Sequence, residues 1–229
     1  MKSEKLKVIY KDKDVLVIDK PAGIVVEELP YLPAHRLDKD TSGVLILAKN
    51  QETLEFLQKQ FKERTVKKKY LALAVGNLKN QTGSIKTLLG RSPNDRRKQK
   101  AFSAADPEAE GKRIAETSYK VLQRFENYDL IELEPTTGRK HQIRAHLAYI
   151  SHPIAGDKLY GFKNRAFQRK AKVKMKQGFI DNQPCHKQLK RQFLHAEYLR
   201  IKLPDGNIKE FGSGLPEDLK EVLEILNVK

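Results

Sequence analysis

The apolar residues of this chain arrive in short runs, and few of these runs are joined by a segment of helical period. Residues 15–18 are β-branched and apolar, closed by Lys20-Pro21 and Gly23 in turn chemistry. Residues 43–48 (Gly-Val-Leu-Ile-Leu-Ala) read as a second, buried strand. Asn50 then stands where it caps a helix carrying Leu54, Leu57 and Phe61 on one face. Strand patterns return at residues 70–75, 117–122, 128–133, 197–203 and 208–211, the last two joined by Pro204-Asp205-Gly206. A helix is expected over 140–150, with Ile143, Leu147 and Ile150 on its stripe, and an amphipathic helix from Pro216 to the end. The polar stretch 79–113 reads as a hairpin or long loop with a weak strand at 84–89. Strands without regular strand–helix alternation argue against a doubly wound parallel sheet. They favour an α+β fold, with a mixed, mostly antiparallel central sheet flanked by helices and loops.

Charge narrows the partner. Lys plus Arg outnumber Asp plus Glu by 45 to 29, a formal net charge of +16. A compact chain this basic repels itself, a cost tolerated when the partner is a polyanion. Nucleic acid leads, with an anionic membrane surface second. The start of the chain is charged, and no run approaches the roughly 18 apolar residues that span a bilayer, so a cytoplasmic location is expected. The single cysteine, Cys185, has only His186 beside it as a candidate ligand, which gives no basis for a structural metal site.

Two segments carry chemistry. His35-Arg36-Leu37-Asp38-Lys39-Asp40-Thr41-Ser42-Gly43 places charged and hydroxyl groups directly before the buried strand at 43–48. The bland reading is a charged turn. The sharper one is a catalytic loop on a rigid support. Thr137-Gly138-Arg139-Lys140-His141-Gln142-Ile143-Arg144-Ala145-His146 gathers Arg, His and Gln on one helical stretch, residue types poorly chosen if solubility were the only requirement.

Residues 35–43 resemble the signature His-Arg-Leu-Asp-x-x-Thr-Ser-Gly of the RluA-type pseudouridine synthases. The resemblance extends to Asp19-Lys20-Pro21-Ala22-Gly23, to Lys67-Lys68-Lys69-Tyr70, to Gly138 through His146, to His152-Pro153-Ile154 with Gly156 through Gly161, and to Leu194-His195-Ala196. It implies the catalytic fold of that family and isomerisation of uridine to pseudouridine in structured RNA, with ribosomal RNA favoured and transfer RNA second. It also implies one catalytic domain over 1–229, likened to members without a separate N-terminal RNA-binding domain, since only 34 residues precede His35. No cofactor and no metal are expected, no membrane association, and no obligatory protein partner; a monomer is the default. The segment 162–190 is longer and more basic than the family pattern.

By this resemblance Asp38 is the catalytic carboxylate, Tyr70 the ring on which the target base rests, and Arg144 the cation that keeps Asp38 ionised. Lys20, Arg36 and Arg139 are candidates to hold phosphates. The chemistry asks for such a set. Uracil must leave C1′, turn and rejoin through C5 without meeting water. A carboxylate acts on the sugar, either at C1′ or on a C2′ proton. In a dry pocket a lone carboxylate would tend to be neutral, hence the cation. Two rivals remain open to test: an RNA-binding assembly factor that keeps the fold without the activity, and a hydrolytic N-glycosidase in which Asp40 would supply the second acid.

Overall fold

The computed structural model describes residues 6–161 and 188–227. They divide into two compact units, one built from Met1–Tyr70 and His195–Leu215, the other from Leu71–Leu194 and Pro216–Lys229.

In the first unit the strands are β1 (Lys7–Lys11), β2 (Val15–Lys20), β3 (Leu32–Pro33), β4 (Ser42–Ala48), β10 (Leu194–Lys202) and β11 (Ile208–Gly212), with helix α1 (Gln51–Glu63). β1 pairs β2, β2 pairs β4, β3 pairs β4 and β11 pairs β10, all antiparallel, while β10 pairs β4 in parallel through His195↔Ser42 and Ala196↔Gly43. Every residue of β4 is buried, so both of its faces are covered. Val44, Ile46 and Ala48 join Val15, Val17 and Leu57 on one side, and Leu45 and Leu47 join Leu16, Ile18 and Leu37 on the other. That is the period-2 division of a strand packed on two faces. Helix α1 covers the first of these clusters. Its Asn50 cap accepts the Thr53 N–H at 2.8 Å, and Arg64 closes it in the left-handed region at φ 61°. Burial of Leu57 alone is worth about 2 kcal/mol.

In the second unit the strand order is β5-β9-β8-β6-β7, from β5 (Lys67–Val75, whose last five residues lie here), β6 (Thr82–Arg91), β7 (Gln99–Phe102), β8 (Arg113–Arg124) and β9 (Tyr128–Pro135). Helices α2 (Gln142–Tyr149) and α3 (Glu217–Asn227) complete it. β6 pairs antiparallel with both β7 and β8, and β8 with β9. The α+β architecture with mostly antiparallel pairing agrees with the pattern of runs in the sequence. Residues 79–113, read as a hairpin or long loop, contain a true hairpin. Its strand β6 is longer than expected because Thr82 and Gly83 pair with β8 and Gly90 and Arg91 pair with β7, beyond the inward-facing Ile85, Thr87 and Leu89. The strands β1 and β3 were not foreseen. β1 is a short run, Val8 to Tyr10, between Lys7 and Lys11 at a sheet edge, and β3 is only two residues long.

Gly43 opens β4 at φ +117°, and a Cβ on it would overlap the Ala196 carbonyl of the parallel partner. No side chain fits that backbone or that gap. Gly43→Ala is therefore expected to cost about 3 kcal/mol or more. A denaturant titration checks it: the variant should unfold at clearly lower urea, and an unchanged midpoint would contradict the close β4–β10 approach.

Candidate active site

The loop 35–41 is short of regular structure, yet it is tied at many points. His35 stacks on Phe61 with ring centroids 4.8 Å apart, and its Nε2 accepts the Ile46 N–H at 3.3 Å. Burial, helped by the nearby Lys68 ammonium, pushes the His35 imidazole down to about 3, so Nε2 stays an acceptor at neutral pH. Lys68 is itself brought down to about 8 by burial. Leu37 is buried in the core, which turns the residues on either side of it outward. Asp38 is half-buried and Arg36 exposed. The Asp38 carbonyl accepts the Thr41 N–H at 3.0 Å, closing a turn around Lys39 and Asp40.

Lys20 holds this turn from below. It is fully buried, and its Nζ donates to the carbonyls of Pro21, Ile24 and Lys39 at 2.9, 3.1 and 3.0 Å. The Gly23 N–H donates to the same Lys39 carbonyl at 2.9 Å. An ammonium has three hydrogens, and three carbonyls take them. This corrects the expectation that Lys20 grips a phosphate: it is an internal strut that binds the turn after β2 to the residue beside Asp38. At its other end the loop meets Ser42, whose hydroxyl lies 2.9 Å from His195 Nδ1. His195 Nε2 lies 2.8 Å from the Ser213 carbonyl, which can only accept, so Nε2 carries the proton and Nδ1 accepts from Ser42.

Tyr70 packs against the core cluster that holds Leu37 and Leu45. Burial, and then the Asp38 carboxylate, hold its phenol well above the ordinary value. The second cause places Asp38 within electrostatic reach of the Tyr70 hydroxyl, so these two residues, distant in sequence, share one neighbourhood in the first unit.

Arg144 belongs to the second unit. It lies on α2 with 7% of its surface exposed, and its Nε and Nη2 donate to Asp157 Oδ2 and Oδ1 at 2.7 and 2.9 Å. Asp157 Oδ1 also accepts the backbone N–H groups of Leu159 and Tyr160, each at 2.9 Å. A bidentate pair fixes the guanidinium in its own plane. Beneath α2 runs a buried polar chain. Glu116 N–H donates to Thr137 Oγ1, which donates to Gln142 Oε1. Gln142 Nε2 donates to Thr117 Oγ1, and His146 bridges the Thr117 and Thr87 hydroxyls through Nδ1 and Nε2. Burial brings the His146 imidazole down to about 4, keeping it neutral in that chain. Arg139 stands half-buried just before α2, with Nε donating to the Ile114 carbonyl at 3.3 Å.

Asp157 and Tyr160 had no role from the sequence, although they sit in the stretch from Gly156 to Gly161 that resembled the family. The signal available was an acid flanked by glycine in an otherwise apolar stretch. Cys185, His186 and most of the segment 162–190 lie outside the described residues. Among the described residues no three His, Cys, Asp or Glu side chains gather as a metal site, and no helix is long and apolar enough to cross a membrane.

Comparison with known proteins agrees with this layout. A family profile described as RNA pseudouridylate synthase matches residues 27–149. The chain is 41% identical over 182 residues to "Ribosomal large subunit pseudouridine synthase D" of Borreliella burgdorferi, a match covering 67% of this chain and 54% of that protein. It is 33% identical over 245 residues to the protein of the same name from Pasteurella multocida, covering 96% of this chain and 71% of that one. The chain thus spans about half the length of the first relative and under three quarters of the second. Among solved structures it resembles "Human RNA Pseudouridylate Synthase Domain Containing 4" at TM-score 0.72 and 27% identity, covering 96% of this chain and 92% of that one.

The two depressed histidines have a consequence for stability. His35 and His146 stay neutral in the folded chain down to about pH 3 and 4, whereas free imidazoles take a proton near 6.5. Below pH 6.5 the unfolded chain therefore binds more protons, and stability falls as pH falls, by about 1.4 kcal/mol per pH unit for each histidine. Urea midpoints measured between pH 7 and 5 should drop steadily, and His146→Gln should flatten the slope by about one proton. Midpoints that do not move over that range would contradict the buried neutral imidazoles.

Proposed function

Because the chain belongs to the RluA-type RNA pseudouridylate synthase family, we propose that it isomerises uridine to pseudouridine in structured RNA, with Asp38 as the catalytic carboxylate. The observation that carries the assignment is the setting of Asp38: a half-buried carboxylate on a loop braced at both ends, with the half-buried Tyr70 packed on the same core cluster as its neighbour Leu37. Ribosomal RNA is the favoured substrate, on the strength of the relatives' names, with transfer RNA second. The cytoplasm is the proposed location.

In this reading the glycosidic bond from N1 of uracil to C1′ breaks while Asp38 acts on the sugar. It either forms an ester at C1′ or removes the C2′ proton to leave a glycal. The freed uracil stays on the Tyr70 ring, a face that holds a base without fixing its in-plane angle. It turns, and C5 bonds to C1′ as the ester to Asp38 breaks or, from the glycal, as C2′ regains the proton that Asp38 took; the C5 proton is lost and N1 gains one, so the product is an isomer and no redox partner is consumed. Arg144 is assigned as the cation that favours ionised Asp38 over the neutral acid. Its Nε and Nη2 are held by Asp157, which fixes the guanidinium while leaving it charged. The exposed Arg36, Arg139 and the basic hairpin from Arg91 to Lys100 are assigned to RNA phosphates. The target nucleotide has to leave its stack to reach a carboxylate so placed, which favours loops and bulges.

The N-glycosidase alternative needs a second acid and an activated water. Asp40 shares the turn with Asp38 but is exposed, not enclosed beside it as a paired acid would be.

Asp38→Asn tests the proposal. The amide preserves shape and cannot act as nucleophile or base. Pseudouridine mapping after incubation with total RNA should show sites made by the native protein and none made by the variant, with thermal melting and RNA binding nearly unchanged. Modification at the same sites by the purified variant would remove Asp38 from the reaction.

A further inference from the structure

Tyr160 stands where three features of the second unit meet, and each uses a different part of its side chain. The hydroxyl oxygen accepts the Gln99 N–H at 2.6 Å and lies 3.0 Å from His141 Nδ1. The oxygen thus joins the backbone of β7 to the His141 ring. The ring faces the Arg144 guanidinium, whose carbon is 5.1 Å from the centroid, with Lys98 Nζ at 6.0 Å. Both are within cation–π range. Finally, the Tyr160 backbone N–H is bound by Asp157 Oδ1, the carboxylate that also grips Arg144.

The contact at Gln99 lies at the root of a basic hairpin. β7 is the last strand in the order of its unit, and at Gln99 a tyrosine oxygen takes the N–H that a further strand would have used. Gln99 pairs across to Arg91. The turn between them carries Arg96, Arg97 and Lys98 and is closed by the Ser92 N–H on the Lys98 carbonyl at 3.0 Å. On the other side, His141 precedes α2 in the left-handed region at φ 53°, a conformation that costs a residue with a Cβ about 1 kcal/mol or more unless its surroundings hold it. Tyr160, 5% exposed, holds it through both the hydroxyl and an edge-on ring contact at 5.7 Å.

We propose that Tyr160 is a positioning residue that joins the basic hairpin to Arg144, so that one side chain sets both the root of the RNA-holding strand and the tilt of the guanidinium. A guanidinium needs two constraints to point one way. Asp157 supplies one by its bidentate pair, and the Tyr160 ring supplies the other by its contact with the guanidinium carbon. Because the same ring is tethered through its oxygen to β7, RNA drawn onto the hairpin and the orientation of Arg144 are mechanically one element. The inference rests on the functional reading above, in which the hairpin meets RNA and Arg144 serves Asp38.

Tyr160→Phe tests it with little disturbance, since the ring and both cation contacts remain and only the oxygen is lost. In the free protein, amide hydrogen exchange at Gln99 should accelerate and the Arg144 Nε–H resonance should shift. On large-subunit ribosomal RNA transcribed in vitro, the single-turnover rate at saturating RNA should fall about tenfold or more. The RNA concentration for half-saturation should change by less than about threefold, since phosphate-contacting side chains are untouched. A saturating rate equal to that of the native protein, or a rate loss fully matched by loss of folded protein, would reduce Tyr160 to a packing residue and overturn the proposal. An undisturbed Arg144 resonance would do the same. The functional reading fails separately: if Asp38→Asn still isomerised uridine, the catalytic purpose given to Tyr160 would fall even though the link seen in the free protein stood.

Discussion

The Lys20 ammonium is caged by the carbonyls of Pro21, Ile24 and Lys39, and the geometry of the Asp38 loop depends on that cage. An ammonium taken out of water costs several kcal/mol unless its hydrogens are satisfied. Once satisfied, it organises whatever supplies the acceptors. Here the acceptors come from two loops that no strand pairing joins, the turn after β2 and the turn at 38–41. The loop gains its second fixed point at Ser42, where a buried histidine takes the serine proton and passes its own to a carbonyl. Asp38 lies between these anchors, on a backbone with little freedom, as a group that must meet one carbon of a sugar requires.

The second unit solves the matching problem for a cation. A buried arginine is costly without a partner to hold its donors. Asp157 resolves this by taking one edge of the guanidinium while its own carboxylate is held by two backbone N–H groups. The polar chain of Thr137, Gln142, Thr117, His146 and Thr87 fixes the helix that carries Arg144. Each member is satisfied by its neighbour, the condition under which a buried network rigidifies a fold. The functional side chains are therefore placed by buried polar groups that themselves contact no substrate in the proposed reaction.

How much of this was legible in the sequence follows from what a sequence can display. β4 and α1 were readable because their signals are local: a run of apolar residues after a glycine, and an asparagine cap followed by Leu54, Leu57 and Phe61. The order of residues from His35 to Gly43 identified the loop and its aspartate. Lys20 was visible as a charge, but burial is a property of the folded chain, and its three carbonyl partners are backbone atoms that every residue possesses. The extent of β6 was hidden because its end residues Thr82, Gly83, Gly90 and Arg91 carry no strand pattern and are held by pairing with β8 and β7, and the inward position of Thr87 makes sense only once His146 is there to receive it. Asp157 looked like a turn residue because its partner Arg144 lies on a separate helix. Local pattern thus pointed to the proposed site, and the long-range hydrogen bonds around it appeared only in three dimensions.

The central claim is that uracil leaves C1′ and returns through C5 without escaping. RNA transcribed with tritium at C5 of uridine reads both halves of that claim at once, since rejoining through C5 expels that hydrogen into water. Incubation of such a ribosomal RNA with the protein should release tritium in step with the pseudouridine formed, with no free uracil in solution. Release of uracil with the tritium still on it would mean hydrolysis rather than isomerisation and would contradict the account.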